Sequence, residues 1–392
     1  MEQEKGQKLT ICFLGEAKNE DIHTVKWARH FSDRGHEVHL FSYPSFSKKN
    51  MVEGITVHLL KKRSSIKAWP FVSLLNIPSI LAQIKRKMKE INPDIIHAHC
   101  LTSYGTLGSL LNFHPFIITA FGSDILITPK ENIMKGLITR WSLAKADLIT
   151  CDAFHMREAI MKFGVPESKI KIIFFGVDTK KFSPGPKNEE IKRKFGILDE
   201  DRVVMSFRFL EPLYDTKTLI QSVPTVLKEV SGVKFLIAGN GSQEKKLKKM
   251  SEDLRVSEKV KFIGWIDKEV LPQYLRTVDV CVSTALSDAG IASSTAEAMA
   301  CGLSVIVTNT GENEKWVKNG ENGFLIPIKN PEILAERIVR LLKDDDLRRQ
   351  FGERARKVIE ERDNYQKEME KVENIYYQLS KNLRYGEKIS NL

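Results

Sequence analysis

The chain has 392 residues, 42% of them hydrophobic and 28% charged, with no repeat or low-complexity run. That composition excludes fibrous and disordered classes, and the length predicts two cores, since domains cluster at roughly 100 to 200 residues. Lys and Arg number 61 against 50 acids, a formal net charge of +11, yet no nucleic-acid recognition motif accompanies the excess. Five well-separated cysteines without a CxxC pair predict a reducing, cytoplasmic compartment. MEQEKGQK, followed by a short apolar run, is not a signal-peptide pattern, and no stretch approaches the roughly 20 apolar residues of a membrane span.

In chain order, residues 9–15, 37–43, 55–60, 94–99, 116–121, 147–151 and 170–175 read as short β-branched strands. Helical patterns fill the gaps, for example Val25, Ala28 and Phe31 before Gly35. Such alternation predicts parallel strands with crossover helices, a Rossmann-like α/β sheet. The plan repeats with strands at 203–209, 233–239, 260–264, 280–284, 304–308 and 323–327. The Gly-, Pro- and charge-rich stretch GVDTKKFSPGPKNEE divides the halves, giving domains at 1–178 and 179–363. After Pro331 the chain reads as helix. Its last segment, 364–392, carries Met369, Val372, Ile375, Tyr376 and Leu379 on one face, which predicts a partner surface.

From Lys61 to Lys89 there are eight basic residues and no acid, interleaved with Trp69, Phe71, Leu74, Leu75, Ile77 and Ile80. This is either an ordinary amphipathic helix with a lysine face or a dock for an anionic membrane.

Ligands of open α/β sheets bind at the carboxyl ends of strands, where loops and helix N-termini offer N–H groups to phosphates. The loop after the first strand, GEAKNEDIH, is not GxGxxG, so a dinucleotide-binding first domain is not supported. Arg208, ending the first strand of the second half, is a candidate grip for a diphosphate, or else a surface ion-pair partner. Gly239 and Gly241 close the next strand, as a tight turn whether or not a ligand is present. Ser293, Ser294 and Thr295 precede a short helix, either as caps or as a phosphate-facing turn. Glu297 stands in that otherwise apolar helix and needs a partner, for which vicinal ribose hydroxyls would serve. His97 and His99 share one side of their strand, with no acid to complete a metal shell, and Asp344 to Asp346 read as turn residues; no metal is expected.

Together SFRFLEP, AGNGS, VKFIG, the loop 283–295, EAMACG and SVIVT resemble retaining glycosyltransferases of family 4. The resemblance extends to GHEV at Gly35 to Val38, DIIHAH, GSD at 122 to 124 and GVD at 176 to 178. It implies a GT-B fold: two Rossmann-like domains with parallel sheets facing a central cleft, the C-terminal helix packing back on the N-terminal domain. It further implies transfer of a sugar from a nucleotide-diphosphate sugar to a hydroxyl acceptor, without a metal or other cofactor. Carried over, Arg208 holds the diphosphate and Glu297 the ribose. The loop Asp288 to Thr295, with Gly290, holds sugar and phosphates, and the chain after Ile263 lies against the base. Gly15, His23, Asp124 and His99 face the reaction from the N-terminal side.

Three positions depart from the family pattern. The acid expected eight residues before Glu297 is Ala289, with Asp288 adjacent. The lysine expected five residues after Arg208 is Leu213, with Tyr214 next to it. The histidine expected before the GSD turn is Phe121. These departures motivate an alternative reading as a non-catalytic, nucleotide- or partner-binding subunit.

Overall fold

The computed structural model describes residues 7–17, 23–43, 53–61, 70–288 and 290–384, without the side chains of 70–75 and 382–384. Two compact units emerge, residues 1–175 with 367–392, and residues 176–366.

The first unit holds a parallel sheet of β1 (Thr10–Leu14), β2 (Glu37–Ser42), β3 (Thr56–Leu59), β4 (Ile95–His99), β5 (Phe116–Ala120), β6 (Leu148–Cys151) and β7 (Ile170–Ile172). Among the described residues its order is β3-β2-β1-β4-β5-β6-β7. Its helices are α1 (His23–Asp33), α2 (Pro70–Ile91), α3 (Thr106–Leu111), α4 (Ser123–Leu126), α5 (Ile133–Lys145) and α6 (Phe154–Met161). All residues of β4 and β5 are buried, as expected where helices cover both faces of a parallel sheet. α2, α3 and α5 share one core through Ile80, Ile84, Leu107, Leu111 and Leu143.

The second unit repeats the plan. It contains β8 (Arg202–Phe207), β9 (Val233–Ala238), β10 (Val260–Gly264), β11 (Val280–Ser283), β12 (Ser304–Thr308) and β13 (Phe324–Ile326), ordered β10-β9-β8-β11-β12-β13. Its helices are α7 (Glu189–Phe195), α8 (Thr216–Glu229), α9 (Glu244–Asp253), α10 (Leu271–Thr277), α11 (Ser293–Ala300), α12 (Asn313–Trp316), α13 (Pro331–Lys343) and α14 (Asp345–Arg362). Asp344 caps α14 by accepting from the Leu347 N–H, and Asp345 pairs with Arg202 and Arg348. The acidic run is therefore a helix start with ion pairs rather than a merely solvated turn.

α15 (Tyr365–Arg384) places nearly its whole length in the first unit. Met369, Val372, Ile375, Tyr376 and Leu379 are buried there, the face that their three- and four-residue spacing predicts. Glu373 binds Arg34 and His36, and the Phe174 N–H donates to Glu368. α15 thus belongs physically to the unit that contains β1.

Of the basic segment, Lys62, Arg63, Lys67 and Trp69 lie outside the described residues. Lys85, Arg86 and Lys89 are exposed on α2, whereas Ile80 is spent in the core. That residue is unavailable for the membrane contact considered for the segment.

Candidate functional site

In each sheet the strand order reverses at one point, between β1 and β4 and between β8 and β11. Such a point is the usual ligand position of open α/β sheets. Most of the candidate residues sit beside these two points.

Arg208 follows β8 directly. Its Nη2 donates to Asp288 Oδ1 at 2.7 Å, Nη1 reaches Ser294 Oγ at 3.4 Å, and the guanidinium lies 4.5 Å from the centre of the Tyr214 ring. The side chains of Arg208 and Asp288 are only 11% and 6% exposed, so each needs the other against the cost of burying a charge. Asp288 Oδ2 is buried without a hydrogen-bond partner among the described residues.

The turn Pro212–Tyr214 is sewn to the loop after β11. The Leu286 N–H donates to the Leu213 carbonyl, and the Thr284 hydroxyl donates to the carbonyls of Tyr214 and Asp215. This places the tyrosine ring against the arginine. Leu213, where the family pattern has lysine, is half exposed, and Lys217 lines an open groove of about 420 Å³ with Glu211, Gln221 and Gln243. Two aromatic residues not singled out in the sequence extend the group. Phe209 and Trp265 are exposed and stacked at 5.6 Å, and Phe209 lies 6.2 Å from Tyr214.

Gly239 and Gly241 position the arginine through the backbone. A Cβ on Gly239 would stand 2.1 Å from the Arg208 carbonyl oxygen, at φ +118°, and one on Gly241 would stand 2.4 Å from that of Leu210. The Leu210 N–H donates to the Asn240 carbonyl and the Gln243 N–H to that of Leu210, which fixes the exit of β8. Replacing Gly239 by alanine is expected to cost about 2 kcal/mol of stability, from the positive φ and the clash together. It should also weaken any ligand held by Arg208; denaturant titration beside nucleotide binding checks both. Ile263 is half-buried in β10, and the next residue, Gly264, accepts from the Gly239 N–H.

α11 begins after Ala292, which makes no side-chain cap. Ser293 and Ser294 occupy its first turn and do not cap it, contrary to the simplest account of hydroxyl residues at a helix start. Ser293 is exposed, Ser294 faces Arg208, and Gly290 and Thr295 are buried. Glu297 is buried, with Lys268 Nζ 3.5 Å from its Oε1. Lys268 comes from the chain following β10 and carries no motif of its own; only its position after Gly264 links it to the site.

At the other reversal point, a Cβ on Gly15 would meet Thr24 at 2.5 Å, so glycine lets the loop after β1 lie against the first turn of α1. Thr24 Oγ1 bonds His99 Nδ1 at 3.0 Å. His99 Nε2 is buried without a partner among the described residues. The His23 ring stacks on Phe175 at 3.8 Å, and Phe121 lies beside both His23 and His99. Asp124 accepts from the N–H groups of Leu101, Phe121 and Gly122. Burial pushes its carboxyl up, and these donors oppose the shift. Its lone pairs are thus committed to holding the turn after β5. His97 is bonded to the Tyr376 hydroxyl at 2.6 Å and to Thr119 at 2.7 Å, and Thr119 is bonded to Thr150. Both of its nitrogens are used in a buried polar chain joining β4, β5, β6 and α15.

Residues 10–153 match the family described as Glycosyl transferase 4-like, and residues 187–358 match Glycosyl transferases group 1. N-acetyl-alpha-D-glucosaminyl L-malate synthase of Bacillus anthracis is 22% identical over 366 residues, 91% of this chain and 93% of that protein. HepE of Anabaena, solved in complex with UDP, superposes with a TM-score of 0.79 at 19% identity, covering 95% of this chain and all of that one. A glycosyltransferase of Rickettsia africae gives 0.78 at 19%, covering 96% and 100%. With two parallel-sheet Rossmann-like units, each bearing strand-end residues at its reversal point, the chain is a glycosyltransferase of the GT-B fold, 4-like in its N-terminal part and group 1 in its C-terminal part.

Proposed function

We propose that the enzyme moves a sugar, with retention, from a nucleotide-diphosphate sugar to a hydroxyl acceptor, and that its donor site lies at the β8/β11 reversal point. The observation that carries this reading is the near-buried cluster of Arg208, Asp288, Ser294 and Tyr214 beside the N-terminus of α11. A diphosphate brings two charges and several acceptor oxygens, which match the guanidinium fork and the N–H groups of the first turn. On binding, it would take over the arginine and release Asp288, whose Oδ2 has no hydrogen-bond partner among the described residues, toward the sugar hydroxyls. Relatives of this chain support the donor class: HepE was solved with UDP and with UDP-glucose, and a Mycobacterium tuberculosis relative is named as GDP-mannose-dependent.

In the reaction the bond between the anomeric carbon and the β-phosphate oxygen breaks, and the acceptor oxygen bonds to that carbon on the same face. The acceptor proton passes to the departing phosphate oxygen. Arg208 and the α11 N–H groups offset the charge that accumulates there, which is electrostatic preorganisation rather than proton chemistry. No metal ion is assigned a part in this scheme. Glu297 accepts from the ribose hydroxyls, with Lys268 holding the carboxylate in place. The exposed Phe209 and Trp265 rings offer the base an apolar stacking surface. On the acceptor side, His23 is the candidate to meet a hydroxyl, because Asp124 is committed to its turn and His99 is buried.

Glu297→Ala is expected to weaken nucleotide binding by about 30-fold or more, the loss of two hydrogen bonds to a charged acceptor. Calorimetric titration with the nucleoside diphosphate checks it, and unchanged affinity removes Glu297 from the site.

A seat on an anionic membrane surface completes the proposal, with the basic residues of 61–89 supplying charge. Among the described residues no helix is long and apolar enough to cross a membrane.

A further inference from the structure

α5 is built inside out. The side chains it buries are Thr139, Ser142 and Leu143, and Ser142 is hydrogen-bonded to Ser109 and Thr106 of α3. Its large apolar residues point to solvent instead. Ile133 is 85% exposed, Met134 66%, Leu137 57%, Ile138 40% and Trp141 38%. At 3.6 residues per turn these five lie within an arc of roughly 140°. Scattered exposed leucines need no explanation, but a stripe along a whole helix does.

Cations border the stripe. Arg140 and Lys145 are exposed on the helix, and Lys130 lies three residues ahead of its start. Glu131 is the one acid between Ile127 and Lys145, and it is paired with Lys135. Ile127, 61% exposed, adds an apolar side chain just ahead of the helix. An apolar stripe with a tryptophan, edged by positive charge, matches the boundary of a bilayer whose headgroups are anionic. A second copy of the chain would instead set these same cations against each other.

We propose that α5 lies in the surface of an anionic membrane, with Ile133, Met134, Leu137, Ile138 and Trp141 inserted among the acyl chains and Arg140 and Lys145 on the headgroups. The inference builds on the membrane seat suggested above and assigns its apolar contact to a different helix. α2 and α5 both pack on α3, so Lys85, Arg86 and Lys89 belong to the same helical layer and supplement the charge.

The test is flotation of the full chain with vesicles of phosphatidylcholine, alone or mixed with phosphatidylglycerol. Wild type should float with the mixed vesicles, less so at high salt. Leu137→Ser/Trp141→Ser should lower the bound fraction about tenfold. Because both positions are exposed, the variant should keep its circular dichroism and its nucleotide binding. Arg140→Gln/Lys145→Gln should reduce both the binding and its salt dependence. Failure of wild type to float overturns both the seat and the role of α5. Loss of flotation only in Lys85→Gln/Arg86→Gln/Lys89→Gln, with the α5 variants unaffected, overturns α5 alone and leaves the seat standing. A wild-type dimer in light scattering that Leu137→Ser/Trp141→Ser abolishes also overturns it, because the stripe would then be a contact between copies.

Discussion

Arg208→Ala is expected to lower turnover about a thousandfold, the cost of removing a charged donor aimed at the developing oxyanion. The substitution also strands Asp288, a carboxylate that is 6% exposed and bonded to Arg208 at 2.7 Å. A loss of stability therefore accompanies the loss of rate, and the two must be separated. Arg208→Ala/Asp288→Ala removes the stranded charge and should recover stability without recovering turnover. Arg208→Lys keeps a positive charge but loses the fork and its stacking on Tyr214, so its activity should fall between those of wild type and Arg208→Ala. Steady-state rates with a nucleotide-sugar, set beside thermal melts of the same variants, decide the matter. Near-normal turnover in Arg208→Ala removes the arginine from catalysis.

Acid should unfold the first unit well before carboxylate titration alone accounts for it. Burial pulls the His97 imidazole down from 6.5 to about 3. Burial, then the neighbouring His97 and His23, hold His99 well below its ordinary value. Above pH 6.5 both folded and unfolded chains carry neutral imidazoles, so these residues leave stability unchanged. Below it the unfolded chain takes up protons that the folded unit refuses, and stability falls toward pH 3. For His97 alone the loss reaches roughly 3 kcal/mol at pH 4.5. Glu373 acts in the same direction, because Arg34 and His36 outweigh its burial and hold its carboxyl below the usual range. Asp124 and Glu368, pushed up mainly by burial, recover part of the loss. Denaturant midpoints from pH 7.5 to 4.5 measure the slope, and His97→Asn should flatten it. Equal slopes in the two proteins would contradict the assignment.

The strands were legible because most of their runs are apolar and β-branched, and each of the thirteen begins within one residue of its sequence position, although β7 ends three residues earlier than its run. Arg208 and Ser294 were each legible as strand-end candidates, but that they meet follows from β8 and β11 being neighbours, which the strand runs alone do not give. What could not be read is which way a side chain turns. Periodicity reports that Ile133, Leu137 and Trp141 share a stripe, and the ordinary inference sends such a stripe inward. Only the packing of Ser142 and Thr139 against the core shows it facing out. Asp288 and Asp124 show the same limit from the polar side. Both are acids in motif positions, but the first, expected in the loop that holds sugar and phosphates, is bound to Arg208, and the second is committed to backbone N–H groups. Lys268 and Trp265 escaped notice because their stretch is defined by backbone geometry after Gly264, not by residue type.

The central claim is that the second unit holds a nucleoside diphosphate between Arg208 and Glu297. A thermal-shift screen of UDP, GDP and ADP against wild type, Arg208→Ala/Asp288→Ala and Glu297→Ala tests it directly, since a ligand stabilises the state it binds. One nucleotide should raise the melting temperature of wild type and fail to raise that of either variant. Equal stabilisation of all three proteins, or none of any, would contradict the account.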